Sequence, residues 1–179
     1  MRLARTLDAL GIVYTIGGSV ASSFAGEPRS TLDVDFVVGL RETDIAALVS
    51  ALENDFYVDD EAIRRAVRER RSANLIHQQT SIKVDLFVAG GTALDLQQLA
   101  RRKRVDLGSG HVVFVHPPED VLLQKLRWYR LSDETSDRQW RDVLGIVRVQ
   151  GNKLDREYVL ANADVVHVRD LVERLFAEG

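Results

Sequence analysis

Leu32-Asp33-Val34-Asp35-Phe36-Val37-Val38 is the stretch from which the fold can be read. Apolar and other side chains alternate along it, the period-two signature of a strand with one buried face. Leu32, Val34, Phe36 and Val38 therefore face the core, and Asp33 and Asp35 share the opposite side. A second run, Ile82-Lys83-Val84-Asp85-Leu86-Phe87-Val88, repeats the pattern, with Ile82, Val84, Leu86 and Val88 as the buried row and Ser81, Lys83, Asp85 and Phe87 opposite. If the two strands are neighbours, three carboxylates converge on one open surface. Carboxylates crowded within a few ångströms repel one another, so such a cluster recruits a cation. A donor set made only of oxygen selects a hard ion such as Mg²⁺ or Mn²⁺. A D-x-D on a strand, taken alone, is more commonly a solvated face.

A second feature lies upstream. Ile12 to Ile16 is β-branched and aromatic, hence a strand, and Gly17-Gly18 breaks it. Ser19 is placed to cap a helix of small residues running through Val20, Ala21, Phe24 and Ala25. Strand, two glycines and helix start present bare backbone N–H groups and a positive helix end, which together make a phosphate seat. An ordinary tight turn is the commoner meaning of such a step. Combined with a D-x-D fifteen residues after Gly18 and with Asp85, it becomes far more specific.

The rest of the chain alternates helix and strand to about Pro117 and is helical beyond it. Expected helices are Leu3 to Leu10, Asp44 to Asn54 capped by Thr43, Glu61 to Arg70 and Thr92 to Arg102. Phe56 to Val58 and His111 to His116 are expected strands, and Thr80-Ser81 turns a hairpin between Asn74 to Gln79 and Ile82 to Val88. Helices follow at about Glu119 to Leu131, Ser136 to Val149, Asp155 to Ala161 and Val168 to Ala177. This is an α/β chain: a mixed sheet with flanking helices over residues 1–116 and a C-terminal helical extension, 117–179, packed on it.

Composition narrows the classes further. The chain has 179 residues, 45% of them hydrophobic, and a net charge of −3, which suits a globular core and argues against a sequence-nonspecific nucleic-acid coat. There is no cysteine, so disulfides, thiolate metal sites and a cysteine nucleophile are excluded. Nothing in the sequence approaches the roughly 18 apolar residues of a membrane span, and the expected location is cytoplasmic.

Gly17-Gly18-Ser19, Asp33-Val34-Asp35 and Asp85 within Ile82-Lys83-Val84-Asp85-Leu86 together resemble the nucleotidyltransferase superfamily, which includes DNA polymerase beta, aminoglycoside nucleotidyltransferases and bacterial toxin-type nucleotidyltransferases. The segment from Gly17 to Phe36, with Pro118-Glu119, Lys125 and Arg138 to Asp142, looks most like the branch containing toxins of abortive-infection toxin–antitoxin pairs. The likeness spans about residues 8 to 147. It implies a transferase of the EC 2.7.7 type that moves a nucleoside monophosphate from an NTP, ATP in the first instance, to a hydroxyl on an RNA end such as tRNA, a protein or a small molecule. Asp33, Asp35 and Asp85 would be both catalytic and metal ligands for Mg²⁺ or Mn²⁺, and Gly17, Gly18, Ser19 and Lys125 would bind the nucleotide phosphates. A cognate antitoxin is an implied partner. The alternative is a catalytically silent nucleotide-binding or antitoxin-type interaction protein of the same fold.

The remaining features have plainer readings. Lys125 lies in an apolar helix and either reaches a triphosphate or snorkels to the surface. Arg29 is expected to order its loop through an ion pair. Arg64 to Arg71 and Arg101 to Arg104 are basic runs that could meet RNA but read first as solvated faces. Trp128 and Trp140 are expected to pack between C-terminal helices, and the four histidines show no metal-ligand spacing.

Overall fold

A computed structural model describes residues 2–178, which divide into two compact units: the chain up to Gly17 together with Thr31–Val115, and Gly18–Ser30 together with the chain from His116 onward. The first unit holds a seven-stranded mixed sheet of β1 (Tyr14–Ile16), β2 (Asp33–Val38), β3 (Phe56–Val58), β4 (Ser72–His77), β5 (Lys83–Val88), β6 (Lys103–Asp106) and β7 (Val112–Val115), in the spatial order β3-β4-β5-β2-β1-β7-β6. Strands β2 and β5 run parallel, and β1 and β4 flank that pair antiparallel. Phe36, Val38, Leu75, Val84, Leu86 and Val88 are buried along one side of these strands, as the period-two pattern requires. Besides α1 (Arg2–Ala9), the unit has α3 (Ile45–Leu52) and α4 (Asp60–Glu69), which lie against β3, β4 and β5, and α5 (Ala93–Ala100).

Several sequence expectations are corrected in this unit. Leu32 is 81% exposed and outside the strand: the Thr31 hydroxyl donates to the Asp33 carbonyl and accepts from the Asp33 N–H, a local loop that holds the chain off the ladder until Asp33. Thr43 is not a helix cap. Asp44 instead accepts from the Arg41 backbone and guanidinium, closing a short 3₁₀ turn at Glu42–Asp44, so the α-helix begins at Ile45. The helix from Thr92 ends at Ala100 rather than Arg102, and Lys103–Asp106 is an edge strand against β7 that the sequence does not announce. Only Val105 among its four residues is apolar, and charged edge strands of this kind resist pairing with other chains. Arg64 and Arg68 pair with Asp60 and Glu61 on α4, the solvated face expected of that run.

The second unit is all helix: α2 (Gly18–Ala25), α6 (Pro118–Leu131), α7 (Asp137–Gln150), α8 (Arg156–Ala163) and α9 (Arg169–Glu178). Ser136 and Asp155 cap α7 and α8 by accepting from the backbone N–H groups of Gln139 and Tyr158. Leu122, Leu126, Val143, Ile146, Val159, Val172 and Leu175 form its core. Trp140 packs on that core with its ring 5.3 Å from Tyr129, whereas Trp128 is half exposed, because its position on α6 faces away from the apolar stripe. Helix α2 joins this unit through an unusually close approach: a Cβ built on Gly26 would stand 2.8 Å from the Ile146 nitrogen and 3.0 Å from the Gly145 carbonyl carbon.

That approach has a measurable consequence. Gly26→Ala forces backbone against backbone and should destabilise by about 1–3 kcal/mol in chemical denaturation, the range expected of overpacking, whereas Gly151→Ala meets no atom within 4 Å and is limited to its left-handed backbone strain.

His116 supplies a second test. It is buried with no hydrogen-bond partner at Nδ1, and burial pushes its imidazole pKa down to about 4. The unfolded chain takes up a proton near pH 6.5 that the folded chain refuses, so stability falls as pH drops through this window. Between pH 7 and pH 5 the wild type should lose about 1–2 kcal/mol more than His116→Gln, read from denaturation midpoints.

Candidate active site

The carboxylate face belongs wholly to the first unit. Parallel pairing sets Asp35 directly opposite Asp85 and Asp33 directly opposite Lys83, so these four side chains stand at the corners of one grid on the open side of the sheet. Neighbouring strands lie about 4.8 Å apart and alternate residues about 6.6 Å apart along a strand, which sets the scale of the grid. β4 extends the same face with Asn74 opposite Asp85 and Ile76 opposite Lys83. The Gly17 backbone N–H donates to the Asp35 carbonyl at 2.8 Å, which ties the glycine turn to the strand at this residue.

Lys83 is the residue whose role the sequence left unread. Its Nζ lies 3.0 Å from Asp85 Oδ2. The hydrogen bond and charge of Asp85, supplemented by the charges of Asp33 and Asp35, hold its ammonium pKa above the ordinary lysine value. The signal was present in Lys83-Val84-Asp85, since residues two apart on a strand share a face, but only the register reveals that Asp33 is its neighbour. Among the described residues no group of three His, Asp or Glu side chains converges on one cation position. The donor set nevertheless fits a hard cation in kind: it is all oxygen, and it already has a cationic group seated against it.

Gly18, Ser19 and Lys125 belong to the helical unit. Gly18 has a φ of 52° and is the first residue of α2, so the turn needs a glycine for its left-handed backbone. Ser19 is one residue inside the helix instead of capping it, and its hydroxyl accepts from Arg29 Nη2. Arg29 also reaches Asp142, with Nε 3.1 Å from Oδ1 and Nη2 3.1 Å from Oδ2, the ion pair expected of it. Lys125 is no snorkelling surface residue. Only 4% exposed, it donates to Asp142 Oδ2 at 2.6 Å and to Gln139 Oε1 at 3.1 Å. Asp142 thus receives two cations. Burial raises its carboxyl pKa, but the hydrogen bonds and charges of Arg29 and Lys125 outweigh that and hold it below the usual carboxylate value. Residues 29, 125 and 142 are too far apart in sequence for any periodic pattern to connect them.

Among solved structures, the chain is similar to an antigenic nucleotidyltransferase-like protein from Paracoccidioides brasiliensis, with a TM-score of 0.56 at 21% identity over 97% of this chain and 88% of that one. The chain has the nucleotidyltransferase fold. Two further structures of that fold align over most of their length: ANT(2")-Ia in complex with adenylyl-2"-tobramycin, with a TM-score of 0.57 at 11% identity over 94% of each chain, and the lincosamide antibiotic adenylyltransferase LnuA, lincomycin-bound, with 0.51 at 9% over 79% of this chain and 90% of that one. No protein-family model and no curated protein matches the sequence. No described helix of this nucleotidyltransferase fold is long and apolar enough to cross a membrane.

Asp142→Asn would remove the charge shared by Arg29 and Lys125 and leave a buried ammonium without that carboxylate. It should cost about 3 kcal/mol in denaturation at pH 7, the scale of breaking a buried pair. Because the folded carboxyl titrates below its unfolded value near 3.9, the wild-type advantage is present above that pH and disappears as pH falls through the folded value.

Proposed function

We propose that the protein is a divalent-cation-dependent nucleotidyltransferase that moves a nucleoside monophosphate from an NTP to an acceptor hydroxyl. The observation carrying this reading is the register that sets Asp35 opposite Asp85 with Asp33 one step along, on a face the core does not use. In this reading Asp33 and Asp35 hold the Mg²⁺ or Mn²⁺ that accompanies the triphosphate, and Asp85 completes the ligand set. A bound cation would supply neutralisation of phosphate charge and a lower pKa for a nearby hydroxyl.

The chain's own residues account for the remaining chemistry. Asp85 accepts the proton of the acceptor hydroxyl as its oxygen bonds to the α-phosphorus; the bond from that phosphorus to the bridging oxygen breaks, and pyrophosphate leaves with its electron pair. In the helical unit, the left-handed Gly18 and the start of α2 offer backbone N–H groups to phosphate oxygens, joined by the Ser19 hydroxyl. Lys125, held by Asp142, contributes positive charge for the same anion. Positioning and charge do most of the work in such a transfer.

For the acceptor, a small-molecule hydroxyl is supported by the antibiotic adenylyltransferases that share the fold. An RNA end or a protein hydroxyl, and a toxin role with a cognate antitoxin, rest on the sequence resemblance alone. The second reading, a catalytically silent nucleotide-binding or antitoxin-type protein, is favoured by one specific observation, the Lys83 ammonium lodged against Asp85.

Labelled NTPs with Mg²⁺ or Mn²⁺, offered with aminoglycoside and lincosamide antibiotics, total RNA and cell lysate, decide between them. Transfer of label, or pyrophosphate release, supports the enzyme. Asp85→Asn should then cut transfer by at least ~10²-fold while leaving nucleotide binding largely intact, and Asp33→Ala should weaken cation-dependent nucleotide binding. Binding of nucleotide with no release from the wild type would favour the silent reading.

A further inference from the structure

The grid on the open face is unbalanced in an informative way. Three of its corners are carboxylates and the fourth is Lys83, formally a net charge of −2 on two adjacent strands. On the other side of Lys83 and Asp85, β4 offers only Ile76 and Asn74, neither of them charged. The ammonium therefore has its electrostatic partners on β2 and on its own strand. It has settled on Asp85, the carboxylate directly opposite Asp35.

An isolated exposed ion pair would count for little. This one differs in two respects. Asp85 is the less accessible partner, with its side chain 17% exposed against 44% for Lys83, so the carboxylate is fixed in the sheet and the lysine is the arm that can move. Like charges directly opposite each other in a sheet also destabilise the pairing, and the Lys83 ammonium on Asp85 offsets part of the Asp35–Asp85 repulsion. A divalent cation held by the same carboxylates would offset it as well, and the two positive charges would repel.

We propose that Lys83 is a resident counter-cation of the carboxylate grid, a positioning residue that neutralises and orients Asp85 in the cation-free protein and competes with a divalent cation for it. This rests on the nucleotidyltransferase reading above and deepens it. A divalent cation alone then binds weakly, because it must displace Lys83, whereas one arriving with a nucleoside triphosphate brings negative charge that can receive the displaced ammonium. Lys83 in this way ties cation loading to the presence of nucleotide, and its place beside Asp85 is compatible with turnover.

The test measures Mn²⁺ affinity by electron paramagnetic resonance of the free ion, at low ionic strength, for wild type, Lys83→Met and Lys83→Arg, with and without ATP. Without ATP, Lys83→Met should bind Mn²⁺ about five- to tenfold more tightly than wild type, the scale of removing one unit charge several ångströms from a divalent ion. Lys83→Arg, which keeps the charge, should stay within twofold of wild type, on the order of the spread expected for a conserved charge. In chelator, Lys83→Met should melt at lower temperature than wild type, and added Mn²⁺ should raise its melting temperature by more. Equal or weaker Mn²⁺ binding by Lys83→Met, alongside ATP-dependent Mn²⁺ binding by wild type, overturns the role of Lys83 and leaves the function standing. Absence of Mn²⁺ binding by wild type even with ATP overturns both, and the wild-type arm alone identifies that case.

Discussion

The parallel pairing of β2 with β5 is the constraint on which the rest of the structure depends. It aligns Val34 with Val84, Phe36 with Leu86 and Val38 with Val88 on one side, and by the same register it aligns Asp33 with Lys83 and Asp35 with Asp85 on the other. A slip of one residue would turn the carboxylates into the core and the apolar row into solvent, so burial fixes the chemistry of the open face. The apolar side carries the energetic weight. Leu75, Leu86 and Val38 are fully buried, as are Ile45, Leu48 and Leu52 of α3, and each fully buried side chain of this kind contributes about 1.5–3 kcal/mol. Against that support, the repulsion between two opposed carboxylates is affordable.

A different device organises the helical unit. Two cations from distant points in the sequence, Arg29 and Lys125, meet on the Asp142 carboxylate, and Ser19 and Gln139 complete the cluster. Breaking such a pair is costly, so the network fixes the loop after α2 and the middle of α6 with respect to α7. The near contact of Gly26 with Gly145 and Ile146 serves the same end through sterics. Helix α2, which opens with the left-handed Gly18, is thus held near its start by Arg29, itself paired with Asp142 of α7, and just past its end by Gly145 and Ile146 of α7, a mounting for backbone N–H groups proposed to meet phosphate.

Much of this was legible in the sequence, for reasons of periodicity. Alternation along residues 32–38 and 82–88 announced two strands and their polar faces, although Leu32 and Ile82 lie exposed outside them, and the helices beyond Pro117 were expected close to where α6 to α9 lie. Illegible elements were those whose cause is not periodic. Lys103–Asp106 becomes a strand because β7 lends it a partner, not because its charged residues favour one. Leu32 leaves the strand because a neighbouring hydroxyl, that of Thr31, satisfies the backbone of Asp33 locally. Lys125, read from the sequence as either reaching a triphosphate or snorkelling to the surface, is instead buried with Asp142 and Gln139 as its partners, which no local pattern connects to it.

The sequence by itself determined the fold class, the faces on which Asp33, Asp35 and Asp85 lie, and the glycine turn before α2, because each follows from backbone geometry over a few residues. Only the tertiary structure decided that β2 and β5 are neighbours, that Asp35 stands opposite Asp85, that Lys83 occupies the fourth corner and that Asp142 gathers Arg29 and Lys125. These are pairings between residues far apart in the chain. Their energies depend on separation in space, through Coulomb interaction and desolvation, and that separation does not exist until the apolar rows have found each other.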